Sequence, residues 1–271
     1  MHVSEHNGFT QALKDWRKLR KMSQLDLSLE AEVSQRHLSW LETGKSRPSR
    51  EMIIRLADTL DIPNRDRNRL LDLAGFAPFY SESVLGEPVM QLVSDVLEKM
   101  LNNHNPYPAI VVDRFWNLKM KNRAADKLFG LLGNIPEVLD RIGDDGQFNI
   151  ARFSLHPQGL RQYISNWQEV VTPFYTRLKR EATTRHDPEV IKLIDSLEQF
   201  VVNDLVNTSH STQLTPILPL KYNVGGVKLS LISVISTFGS AQDVTANELR
   251  IETFYPADDV TTAFFNDNST S

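Results

Sequence analysis

The sequence predicts two domains of different class, an all-α domain followed by an α+β domain. Three observations carry this. Residues 9–75 repeat apolar side chains at helical spacing, with capping residues between the runs. "FAPFYSESVLGEPV", Phe76 to Val89, has the Pro, Ser and Gly content of a linker. Beyond "NHNP" the period shifts toward the alternation of strands. The length of 271 residues suits one large domain or two ordinary ones, and 41% hydrophobic with 24% charged content allows at least one packed core.

The elements follow in order. "FTQALKDWRKLRKM" sets Phe9, Leu13, Trp16 and Leu19 on one helical face. Ser23 can cap a second helix, with Asp26 three residues on as a short capping box. Ser34 can cap the third helix and Ser49, after Pro48, the fourth. "RDRNRLLDLAG" reads as a fifth helix closing at Gly75. Past the linker, "EPVMQLVSDVLEKMLN" repeats Val89, Leu92, Val96 and Met100 as a narrow stripe. That stripe fits a helix packed on its own domain or a dimer-forming connector. "YPAIVVDRFWNLKMKN" is a hairpin turning at Asp113-Arg114, and "NRAADKLFGLLG" a short helix. Two long amphipathic helices are expected next. One runs through Leu160, Ile164, Trp167, Val171, Phe174 and Leu178, the other through Val190, Ile194, Leu197, Val201 and Leu205. "TPILPLKYNV", a turn at Gly225-Gly226, "VKLSLISVISTF" and "LRIETFYPAD" supply three last strands. This order suits one antiparallel sheet with helices on one face. The expected boundaries are 1–78 for the helical domain, 79–102 for linker and connector helix, and 103–271 for the α+β domain.

Composition excludes several functions. There is no cysteine, which rules out disulfides, thiolate zinc sites and cysteine nucleophiles and fits a cytoplasmic setting. "MHVSEHNGFT" lacks the regions of a signal peptide, and no run approaches about 18 apolar residues, so no membrane partner is expected. Gly-rich phosphate loops and the nucleophile elbow are absent, and Asp144-Asp145 in "IGDDGQ" reads as a turn. The histidines have no carboxylate cluster beside them. No metal and no cofactor is therefore expected, and the chain does not read as an enzyme.

Charge is uneven. The net is −4, but residues 1–75 hold 13 Lys/Arg against 11 Asp/Glu, with a basic run from Lys14 to Lys21. Beside that run lies "SQLDLSLEAEVSQRHLSWLETGKSRPS". On a helix beginning near Ser34, Leu38 and Leu41 share one side. Arg36 and Trp40 take the other, flanked by His37 and Ser39. Packing needs only the leucine side. The polar side suits a major groove, where Gln and Arg can pair with adenine and guanine edges. Gln24 opens the preceding helix, where backbone N–H groups attract a phosphate.

This stretch resembles the helix-turn-helix of phage-repressor-type (xenobiotic-response-element family) regulators, down to the ending Leu41-Glu42-Thr43-Gly44-Lys45. The resemblance implies that Gln24 binds phosphate and that Ser34, Gln35 and Arg36 head the recognition helix. It also implies that Arg17 pairs with Glu42. His37, Ser39, Trp40, Lys45 and Arg47 complete the expected DNA-facing set. Two positions depart from the pattern. Glu32 stands where Gly is common, and Ser28 stands where Ala is usual, with a hydroxyl that can bond back to its helix.

"LLDLAGFAPFY" and "STFGSAQDVTANELRIETFYPAD" extend the likeness. The chain resembles the subgroup of these regulators that carries an MmyB-like C-terminal ligand-binding domain. That implies a PAS-like five-stranded antiparallel sheet with helices over one face and a cavity between. The ligand implied is small and apolar, with a fatty acid the leading suggestion. Candidate wall residues are Val111, Phe115, Trp116, Phe129, Trp167, Val171, Phe174, Ile235 and Phe238, with Arg161, Arg177 and Tyr175 placed to meet a carboxylate. The expected partners are a double-stranded DNA operator, a second copy in a homodimer, and that ligand. The alternative is a protein-binding module on the same helical fold, its C-terminal domain serving only as a dimer platform.

Overall fold

The computed structural model describes residues 3–143, 146–185, 187–205 and 217–267, the side chains of 3–7 and 185 excepted. Asp144 and Asp145, expected in a turn, and Thr215 and Pro216, expected to begin a strand segment, lie outside the described residues. The chain divides into two compact units: Met1–Val84 with Ser240–Asn247, and Leu85–Gly239 with Glu248–Ser271. The helix expected as a connector thus belongs to the second unit, and a short stretch from late in the chain belongs to the first.

The first unit contains five helices in succession: α1 (Val3–Leu19), α2 (Gln24–Glu30), α3 (Gln35–Glu42), α4 (Arg50–Thr59) and α5 (Asn64–Leu73). The serines act as expected. Ser23 and Asp26 form a reciprocal capping box on α2, and Ser34 and Ser49 cap α3 and α4 by accepting from His37 and Met52 amides. Phe9, Leu13 and Trp16 meet Leu27, Leu38, Leu41, Ile53, Leu56 and Leu71 in one core. Glu32 sits in the α2–α3 turn at φ 53°, the left-handed region. The Ser28 hydroxyl donates back to the Leu25 carbonyl at 2.8 Å. The late stretch is held through Asp243, which accepts from the Ser81 hydroxyl at 2.8 Å and the Ser83 amide at 3.1 Å.

The second unit is built on one antiparallel five-stranded sheet, β1 (Ala109–Val112), β2 (Leu118–Lys121), β3 (Leu220–Val224), β4 (Val227–Ser236) and β5 (Arg250–Pro256), in the order β2-β1-β5-β4-β3. Gly225 and Gly226 join β3 to β4 with positive φ at both positions, the two-residue hairpin turn that glycine makes easy. Its helices are α6 (Gln91–Asn103), α7 (Arg123–Gly130), α8 (Ile135–Ile142), α9 (Ile150–Leu155), α10 (Trp167–Arg185), α11 (Pro188–Leu197) and α13 (Asp259–Asn266), while α12 (Val244–Glu248) ends at the unit boundary.

Four sequence expectations are corrected. Helices cover both faces of the sheet. Strand alternation turns Ile110 and Val112 toward α10, while Ala109 and Val111 pack with Leu97 and Leu101 of α6 on the other side. On α6 the buried residues are Leu97 and Leu101, with Val93 half-buried beside them. Val89 and Leu92 of the expected stripe are 71% and 75% exposed, which goes against the reading that the stripe packs on its own domain. The long helix expected from Leu160 begins only at Trp167. Leu160 lies in a 3-10 turn, and the chain then pairs with β3: Ser165 donates to the Lys221 carbonyl, and Asn166 bonds both Pro219 and Lys221. The helix after it stops at Leu197, giving way to a 3-10 turn.

Candidate DNA-binding face and ligand cavity

In the first unit, α3 buries Leu38, Leu41 and its last residue, Glu42, and turns the face that carries Gln35, Arg36 and Trp40 outward. Ser34, Gln35 and Arg36 are exposed, as are Lys45 and Arg47 beyond the helix, and His37 and Ser39 are half-buried. Trp40 is 38% exposed. The Arg36 guanidinium lies over its ring, 4.5 Å from the centroid. Past the end of α3 the chain turns at Gly44 (φ 71°), and the Lys45 amide returns to the Trp40 carbonyl at 2.8 Å.

A buried strut supports this face. Glu42 is 1% exposed. Arg17 grips it with two hydrogen bonds, Nε to Oε1 at 2.6 Å and Nη2 to Oε2 at 2.9 Å, and donates a third to the Met22 carbonyl at 2.9 Å. The Gln24 amide donates to Glu42 Oε2 at 2.8 Å. Burial pushes the Glu42 carboxyl up, but the bonds from Arg17 and Gln24 and the Arg17 charge outweigh it and hold the group below its ordinary value. One carboxylate therefore ties α1, the head of α2 and the tail of α3 together. It also fixes Gln24 by one of its two amide hydrogens.

In the second unit, a cavity of about 60 Å³ lies between the sheet and the helices over it. Trp116, Phe129, Trp167 and Phe174 of the expected set line it, beside Ile110, Leu128, Phe153, Ile164, Tyr222 and Phe254. Trp116 takes φ 67°, an unusual conformation for a bulky residue. Its hairpin is pinned by Asp113, whose Oδ1 accepts from the Phe115 and Asn117 amides at 2.9 Å each. Buried asparagines set the surroundings. Asn149 Nδ2 reaches the Phe115 carbonyl at 2.7 Å, and Asn122 bonds Ala109, Ala125, Leu101 and Tyr107, joining α6, β1 and α7.

The other expected wall residues lie elsewhere. Val111 and Phe238 belong to the cluster under α6, on the far side of the sheet. Val171 is fully buried in the core behind the wall, and Ile235 packs against that core from β4. Phe115 borders a separate open groove with Asn117, Gln147 and Arg152. The arginines are also off the wall. Arg161 bonds Asp204 at 2.8 Å and the Phe200 carbonyl, and stacks on Trp167. Arg177 lies over Trp116 and Phe174, 5.2 Å from each centroid. The Tyr175 hydroxyl is used on the Ile194 carbonyl at 3.4 Å. The residue that sequence reasoning passed over is Glu252. It stands in the middle strand, is 6% exposed and lines the cavity. Its signal was a single acid inside the strand pattern "LRIETFYP".

The first unit has the architecture of a helix-turn-helix DNA-binding domain, and the second is an α+β domain with an apolar cavity. A helix-turn-helix family model matches residues 13–63. The model for the MmyB-like transcription regulator ligand binding domain matches residues 93–266, more than half of the chain. The chain belongs to the MmyB-like transcription regulators. It is a DNA-binding transcription regulator with a ligand-binding domain, and not an enzyme. A search of curated proteins finds no significant match. Among the described residues no helix is long and apolar enough to cross a membrane.

Proposed function

We propose that the protein is a homodimer that reads an operator with α3 and answers a small aliphatic ligand, a fatty acid or similar molecule, held in the cavity of its second unit. The observation that carries the DNA half is the outward face of α3. Gln35 and Arg36 stand exposed at its head above a fully packed leucine side. In this reading Gln35 and Arg36 contact base edges, and Ser34, His37, Ser39 and Trp40 border the groove. Gln24, with one amide hydrogen on Glu42, offers the other to a phosphate. Lys45 and Arg47 neutralise further phosphates. Two copies would set their recognition helices about 34–36 Å apart on half-sites of a two-fold operator.

The ligand half rests on the cavity's apolar wall. Each methylene it buried would add about 0.8 kcal/mol. The space of about 60 Å³ is below the roughly 300–1,000 Å³ typical of ligand pockets, so a chain enters only as wall side chains move apart. Phe129, Leu160, Phe174 and Phe254 are half-buried, and these are the wall residues that would have to move. Ligand can shift DNA binding only through a difference in affinity between two states of the protein.

Binding to duplexes across a salt series tests the reading. DNA binding weakens steeply as salt rises, because phosphate neutralisation releases counterions. A salt-insensitive protein target with no duplex binding would favour the protein-docking alternative. Native mass spectrometry tests the second half, with a lipid-sized adduct as the expected result.

A further inference from the structure

Among the described residues that line it, the cavity wall is apolar almost throughout and Glu252 is the one acid. This side chain enters from β5, between Ile235 of β4, its directly paired neighbour, and the residues of β1. The Ser233 side chain of the neighbouring strand acts on its carboxyl. Tyr222 reaches the same space from β3. Among the described residues lining the cavity there is no lysine or arginine. Arg177 and Arg250 act on Glu252 through their charge, but both guanidiniums lie against Trp116, at 5.2 and 5.3 Å from its centroid. Both also face Glu181, at 3.9 and 3.5 Å. Burial pushes the Glu252 carboxyl up, and the opposing pull of Arg177, Ser233 and Arg250 does not cancel it, with Glu181 adding to the rise.

A charged head group would meet poor conditions here. It would lose its water without finding a cation on the wall, and it would approach an acid. An uncharged hydroxyl meets the opposite. It can donate to the Glu252 carboxyl and accept from it or from the Tyr222 hydroxyl, while its chain lies along Trp116, Phe174 and Phe254.

We propose that Glu252 is the polar anchor of the cavity, and that its ligand is an aliphatic molecule ending in an uncharged hydroxyl, either an alkanol or an un-ionised alkanoic acid. This rests on the reading of the cavity as the ligand site. The small space favours a short chain.

Calorimetric titration of the full-length protein with 1-octanol, methyl octanoate and octanoate tests it. At pH 7 the alcohol binds at least tenfold more tightly than the ester, which has no hydroxyl. Octanoate binds more tightly at pH 5.5 than at pH 7 if the acid is the source of the hydroxyl, and equally weakly at both if only the alkanol fits. Glu252→Leu brings alcohol and ester within twofold of each other, and Glu252→Gln, which keeps an acceptor, retains the preference. Glu252→Met serves as a second apolar variant should the leucine protein not fold. The proposal is overturned if wild-type protein binds alcohol and ester equally, if the preference survives both apolar variants, or if octanoate at pH 7 is the tightest of the three. Those results leave the cavity reading standing. Absence of binding by all three overturns both together.

Discussion

The two units each bury a glutamate, and the two are used in opposite ways. Glu42 lies 1% exposed under the recognition helix, and Glu252 lies 6% exposed at the cavity. Desolvation raises both carboxyls. At Glu42 it is beaten by a two-pronged Arg17 and the Gln24 amide, so the group stays charged and ties three helices. At Glu252 the nearby arginines are spread over Trp116 and Glu181, so desolvation prevails. Burial alone does not decide which way the pKa of an acid moves. The geometry of its cations does.

The comparison can be broken by substitution. The largest effect is expected at Glu42→Ala, which leaves Arg17 without its main partner. It should cost the first unit about 3–5 kcal/mol, read from denaturant unfolding. Gln35→Ala and Arg36→Ala should leave stability nearly unchanged and each cost about 1–3 kcal/mol on the preferred duplex, relaxing one base position. Gln24→Ala should weaken preferred and scrambled duplexes alike. Glu32→Gly should raise the melting stability of the first unit by about 0.5–1 kcal/mol, because glycine relieves the left-handed φ at some cost in chain entropy.

A pH series sharpens the contrast most finely. The Glu42 carboxyl is lowered on folding. Its contribution is present above the unfolded value of about 4.3 and is lost as pH falls through the folded one. The Glu252 carboxyl is raised. Its contribution is present below about 4.3 and is lost as pH rises through the folded value, modulated by Arg177, Glu181, Arg250 and Tyr222 around it. Stability differences between wild type and Glu42→Gln, and between wild type and Glu252→Gln, should therefore run in opposite directions with pH. Parallel curves would contradict the contrast.

The helical unit was legible because its signals are local. Ser23, Ser34 and Ser49 lie within three residues of the amides they cap, and the leucine side of α3 is set by eight consecutive residues. Even the strain at Glu32 could be read from a missing glycine. The cavity was less legible because its parts are distant in sequence. Trp116, Glu252 and Tyr222 come from three segments that only the sheet brings together. Arg161 looked available for a ligand because Asp204, its partner, lies 43 positions on. Val111 looked like wall because alternation assigns residues to two faces without saying which face holds the cavity. Leu160 and Ile164 keep helical phase with Trp167, yet Ser165 and Asn166 spend their bonds on β3 and break the helix. The asparagines that organise the second unit carried no sequence signal of their own.

The most direct test of the account is selection of bound duplexes from a random-sequence pool by the purified full-length protein. The account predicts enrichment of two-fold-related half-sites with centres about one helical turn apart, and loss of preference at one position of each half-site with Arg36→Ala. A pool that remains random after repeated selection in low salt would contradict it.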